Sequence, residues 1–155
     1  MSDGRHEPDC PPPPLTRRVT LRVAERRVEM TRPRPWPSKV ELSQRTVDEL
    51  VDVYTQAAAA SEELFPASAQ NEAADCVDHV YRELRARGIE AQRHLLPLIE
   101  HERAGVRGWA AAHSLEFEPG LAEAALAVMA AEGTIAGFTA ATTLKEWREG
   151  RLRFP

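Results

Sequence analysis

The stretch Glu102–Leu115, ERAGVRGWAAAHSL, decides the fold. A turn runs into Val106 and Arg107, two residues follow, then Ala110 and Ala111, and Leu115 closes the segment. Val106 and Leu115 form the apolar ends of a stripe at helical spacing. The small Ala110 and Ala111 let a neighbouring helix approach closely. A helix of this kind is one member of a stacked pair, and such stacks bury a continuous core by laying each pair on the next. The segment therefore predicts an all-α stack of antiparallel helix pairs, an architecture that more often presents a surface than performs chemistry.

Working outward, six helices are predicted from Leu42 onward. The first opens with TVDE at 46–49, a capping box, and carries Val47, Leu50, Val51, Tyr54, Ala57 and Ala58 on one face. Pro66 separates it from a second helix over 67–87, with Ala73, Val77, Val80, Tyr81 and Leu84 inward and Gly88 as a left-handed stop. A third, over 90–101, should bury Leu95, Leu96 and Ile99 and kink at Pro97. The VRGWAAAHSLEF segment is the fourth. Pro119-Gly120 starts a fifth with Leu121, Ala125, Val128 and Met129 inward; the sixth, over 134–149, should bury Ile135, Phe138, Ala141, Leu144 and Trp147. Short connections make successive helices antiparallel neighbours. Pairs three–four and five–six then read as two HEAT-type repeats, capped by the first two helices and by the C-terminal segment.

Residues 1–40 read differently. Eight of the twelve prolines fall there, which predicts a disordered, basic, proline-rich leader ahead of a helical domain at 41–155. Within it, TRRVTLRVAERRVEM at 16–30 reads as a short strand or a basic helix, and Met30 is an alternative start. Alanine-rich composition with only 6% aromatics supports the all-helical reading. No apolar run reaches the about 18–20 residues of a membrane span, no secretory leader is visible, and Cys10 and Cys76 are too few for a disulfide framework. The expectation is a cytoplasmic protein that meets no membrane.

Charge is distributed unevenly. Residues 1–39 hold nine Lys/Arg against five Asp/Glu, whereas 40–155 hold eleven against nineteen, a balance of −8. Residues 41–79 alone hold nine acidic groups and one basic, also −8, so the acidity of the body lies in its first helices.

From about Leu42 to Pro155 the chain resembles a small bacterial HEAT-like family of unknown function. The resemblance rests on TVDELVDVYTQAA at 46–58, RELRARG at 82–88, HLLPLIEHERAGVRGWAA at 94–111 and LKEWREGRLRFP at 144–155. The turn HERAGVR departs from the family's HPNPQVR-like form, having Gly105 and no proline. The resemblance implies an immunity protein, encoded beside a secreted toxin, that binds and blocks it. Such a protein would be a monomer before complex formation, with a basic toxin domain as partner.

Two surfaces are candidates for that partner. Asp48, Glu49 and Asp52 on the first helix, Glu62 and Glu63 in the connection, and Glu72 and Asp75 on the second helix, with Asp78 beside them, form an acidic block. An acidic inhibitor gains steered association with a basic target; a merely solvated face is the alternative. Trp109, His113 and Glu116 fall at i, i+4, i+7 on the fourth helix. As an exposed, groove-facing stripe they would form a binding anchor, but the preferred reading is that Trp109 packs over the adjacent helix and His113 is a boundary residue. Arg107 is expected to bridge structurally to an acidic turn residue, such as Glu102, in its own or the next repeat.

Glu72, Cys76 and His79 share a stripe, but three ligands with no fourth do not make a structural zinc site, so no metal is expected and Cys76 reads as a small buried residue. No phosphate-binding loop, HExxH helix or nucleophile elbow is present. The expectation is a non-enzymatic binder without cofactor. A scaffold or adaptor for assembly or effector delivery is the alternative. A HEAT-like DNA-repair enzyme is a weaker one, because nucleic acid requires a basic groove and the body is acidic.

Overall fold

The computed structural model describes residues 36–63 and 66–155, and within them the chain is all α. The order is α1 (Lys39–Ser43), α2 (Val47–Ala60), α3 (Ala67–Arg87), α4 (Ile89–Arg93), a 310 turn (Leu96–Glu100), α5 (Ala104–Ser114), α6 (Pro119–Ala130) and α7 (Ile135–Arg148). No strand occurs among the described residues. Trp36, the first described residue, packs against the core, and α1 spans the expected 40/41 boundary; the expected leader over 1–35 lies outside the described residues. The segment 16–30 lies outside the described residues, as do residues 64–65.

Local chemistry sets several helix starts. Ser38 and Glu41 cap α1 reciprocally, as Thr46 and Glu49 cap α2, with the Thr46 amide donating to Glu49 at 2.8 Å. That hydrogen bond also holds the Glu49 carboxyl below its ordinary range. Thr134 caps α7 by accepting from the Gly137 amide. At the other end of α3, the Arg87 guanidinium donates to the carbonyls of Leu42, Ser43 and Arg45. The end of α3 is thereby fastened to the approach to α2, which makes the two antiparallel.

α5 is the hub, touching α2, the 310 turn, α6 and α7. Leu50, Tyr54, Val77, Tyr81, Leu84, Leu95, Val106, Leu115 and Leu126 are fully buried in one continuous core. The C-terminal segment folds back on it: Leu152 and Phe154 pack against the core, and Arg85 donates to the Pro155 carbonyl at 3.2 Å.

Three expectations need correction. The single kinked helix over 90–101 is instead α4 followed by a 310 turn, since Pro97 has no N–H to continue an α-helical ladder and sits at the start of the tighter turn. Gly88 does not adopt the αL stop. Its φ of 106° and ψ of 176° belong to an extended mirror region open essentially to glycine, and it opens α4 directly. The inward faces of α6 and α7 also differ from those expected.

On α6 the buried residues are Ala122, Leu126 and Met129, with Leu121 and Val128 exposed; on α7 they are Gly137, Ala140 and Leu144, with Ile135 and Phe138 outward and Ala141 exposed. The cause is close approach of the two helices. A Cβ at Gly137 would stand 2.5 Å from the Met129 carbonyl, so the contact selects the smallest side chains and turns the larger ones away.

Candidate functional site

The inner side of α5 meets α2 and α3 in a buried polar cluster. His113, read as a boundary residue or as part of an exposed stripe, is only 3% exposed. The reason is polar and aromatic together. Tyr54 of α2 places its hydroxyl 2.7 Å from His113 Nδ1, Tyr81 of α3 stacks parallel on the imidazole at 3.9 Å, and Asp78 Oδ1 lies 3.6 Å from Nε2. A carboxylate only accepts, so the proton belongs on Nε2, leaving Nδ1 to accept from Tyr54. Burial pushes the His113 pKa below the ordinary histidine value, outweighing the opposing pull of Asp78 and Glu116. Desolvation drives both tyrosines up as well, so the cluster is held neutral at its centre.

The second half of the cluster is built on Tyr81. Its hydroxyl bonds the Glu116 carboxylate and lies 3.3 Å from the His113 carbonyl, while buried Gln92 donates to it at 3.0 Å. Arg85 closes the outer edge by pairing with Glu116. Phe154 tilts against both Tyr81 and His113 at 6.3 Å, so the C-terminal segment covers the cluster. Ser114 Oγ is buried with no hydrogen-bond partner among the described residues. This arrangement fixes the register of α2, α3 and α5 and keeps water out.

Glu116 is thus occupied within the fold. Trp109 is half-buried, donates its indole N–H to Ser61 Oγ at 2.9 Å and lies 5.6 Å from the His113 ring, so it packs across to the end of α2. The exposed stripe is therefore corrected to an internal one. Arg107 bridges to an acidic turn residue, as expected: it donates to the carbonyls of His101 and Glu102 and reaches the carboxylate of Glu132 in the turn after α6.

The acidic residues separate into used and free groups. Glu62 accepts from the Gly105 amide at 2.6 Å and pairs with Arg103, fastening the α2 end to the start of α5, and Glu49 caps its own helix. Asp78 faces His113. Asp48, Asp52, Glu63, Glu72 and Asp75 are exposed. Asp48 has only His94 at 3.6 Å, and Asp52, Glu63, Glu72 and Asp75 have no cation partner among the described residues. Because α2 and α3 run antiparallel, Asp48 and Glu72 sit toward opposite ends, about 20 Å apart along the pair at 1.5 Å per residue. The block is an acidic edge along a hairpin, not one compact patch.

Cys76 is buried, and desolvation raises its thiol pKa to about 11, so it behaves as a small apolar side chain. Among the described residues no three His, Cys, Asp or Glu side chains are placed to hold a metal ion, and no helix is long and apolar enough to cross a membrane. The polar cluster is the feature that the sequence reading misses. Its signal is present: the only two tyrosines both lie on predicted buried stripes, and a buried tyrosine hydroxyl needs a partner. No family model, curated protein or solved structure matches the chain.

Proposed function

We propose that the chain is a protein-binding module, built as a HEAT-like stack of antiparallel helix pairs, that neutralises a cognate bacterial toxin domain by occlusion in the cytoplasm. The observation that carries the reading is the acidic edge: Asp52, Glu72 and Asp75 are exposed and without cation partners among the described residues, on a hairpin whose stretch 41–79 balances at −8. Carboxylates that no neighbour neutralises favour a basic partner and give it fast, salt-sensitive association. Repeat-like stacking is supported by Arg107, which links the turn before α5 to Glu132 after α6.

The test is co-purification of the full chain with the products of neighbouring genes, read by mass spectrometry. The reading requires one stoichiometric partner, toxic alone and harmless when co-expressed. Reversing Asp52, Glu72 and Asp75 to Lys should lower its association rate at least tenfold at low salt and flatten the salt dependence. Unchanged rates would remove the acidic edge from the interface.

A further inference from the structure

Among the described residues, the C-terminal hairpin carries a surface that nothing covers. Leu121 is 49% exposed, Val128 68%, Ile135 83% and Phe138 76%. Between them Ala124, Ala127, Ala131 and Ala141 are also exposed, and from Pro119 to Thr142 the one exposed charged residue is Glu132. α6 is apolar nearly all round: its single ionisable residue, Glu123, is taken up by the Trp147 indole and Arg148. Helices of that kind are normally covered on every side, and a terminal pair in a helical stack ordinarily turns a polar face outward. This one does not.

We infer that the α6–α7 face is the homodimer interface of the protein, paired with the same face of a second copy about a two-fold axis. Three observations favour that occupant. First, the one exposed charge from Pro119 to Thr142, Glu132, is paired with Arg107, so that stretch meets little of its own charge across the axis. Secondly, α5 stands between this hairpin and α2–α3, so pairing through α6–α7 keeps the two acidic edges apart.

The third observation is area. Burying one such large side chain removes roughly 100 Å² from water. With the intervening alanines, each copy offers about 500 Å² and a facing pair about 1,000 Å², the lower bound of a specific interface. The alanines add a geometric advantage, since small residues let the helices of two copies approach closely. The monomer expected from the sequence gives way to a dimer whose acidic edges remain free on opposite outer sides.

Sedimentation equilibrium of the full chain over about 1–100 μM tests this, because an interface of minimal area should have a dissociation constant in that range. The expected result is a reversible dimer insensitive to salt. Phe138→Ala should weaken it about tenfold. The double variant V128E/F138E should be monomeric at every concentration, with unchanged helical circular dichroism because both positions are outside the core. A wild-type monomer throughout, or a dimer that survives V128E/F138E, would overturn the inference. Loss of dimer with retained toxin binding would separate this interface from the acidic edge, so failure of one proposal leaves the other standing.

Discussion

The two halves of the body are held together by opposite means. α2, α3 and α5 meet through large side chains and directed polar bonds, with Tyr54, Tyr81 and His113 all buried and mutually in contact. α6 and α7 meet closely, with Gly137 against the Met129 backbone and the small Ala122 and Ala140 buried, and send Ile135 and Phe138 outward. Directed bonds between large groups admit one register and consume the buried polar chemistry of that half internally. Close contact between small groups needs no such bonds, and it leaves the larger apolar side chains available to something else. In this chain the buried polar chemistry of the first half is therefore structural, its outer carboxylates stay free, and the larger apolar side chains of the second half are open.

Removing one ring from each half gives the sharpest contrast. Tyr81→Ala deletes the ring stacked on His113 and the hydroxyl shared by Glu116 and Gln92, and should cost about 3–5 kcal/mol in urea unfolding. Phe138→Ala, also an aromatic truncation, should change monomer stability by no more than about 0.5 kcal/mol. Comparable losses at the two positions would erase the distinction between the halves.

Glycine substitutions probe the close contact itself. Gly137→Ala puts a methyl 2.5 Å from the Met129 carbonyl, so α7 must shift, at about 1–3 kcal/mol. Gly108→Ala, one layer away on α5, meets only the flexible end of Met129 at 3.5 Å. There the helix preference for alanine, about 0.8–1 kcal/mol, should dominate and stabilise the protein. If both substitutions destabilised equally, backbone proximity would not be what orients α7.

The polar half should also respond to pH near neutrality, through His113. The folded pKa of His113 lies below its unfolded value of about 6.5, so the unfolded chain binds the extra proton more readily. Stability from this group is complete above that value and falls as pH drops through it toward the folded pKa. Tyr54 acts in the reverse sense: with its folded pKa raised, its contribution is complete below about 10 and falls as pH rises beyond. Unfolding free energy measured from pH 5 to 8 should decline on the acid side, and His113→Phe should reduce that slope whatever its effect on absolute stability. Asp78, Glu116, Tyr54 and Tyr81 are the groups facing the ring, and an unaltered slope would assign the acid response to groups other than His113.

The all-α class, the cap at Thr46 and the inward stripes of α2 and α3 were legible because each depends on residues within a few positions of one another. The inward faces of α6 and α7 were not. Hydrophobic periodicity ranks positions by side-chain size and polarity, and it placed Val128, Ile135 and Phe138 inward; the actual arrangement follows from a backbone approach at Gly137 that only the neighbouring helix determines. His113 was misread for a related reason. Its environment comes from Tyr54 and Asp78, 59 and 35 positions away, and a polar residue on a helix gives no local sign that distant partners will satisfy it. The free carboxylates of the acidic edge were readable as charges, but not which of them the fold would use: Glu62 and Glu72 look alike in sequence, and only Glu62 accepts from the Gly105 amide.

Trp109 lies at the margin of the polar half, and its substitution should have a smaller effect than that of Tyr81. Its ring packs across to α2 while its indole N–H is satisfied by Ser61, so Trp109→Phe retains most of the apolar contact and removes one hydrogen bond. The expected loss is about 0.5–1.5 kcal/mol of stability, the worth of a single partly buried bond. The same loss should appear in Ser61→Ala, and the two together should cost less than their sum, because each removes the same interaction. Additive losses would mean that the indole serves some contact other than Ser61. In that case the ring edge would return to the candidate partner surface, where its truncation should raise the dissociation rate of the complex.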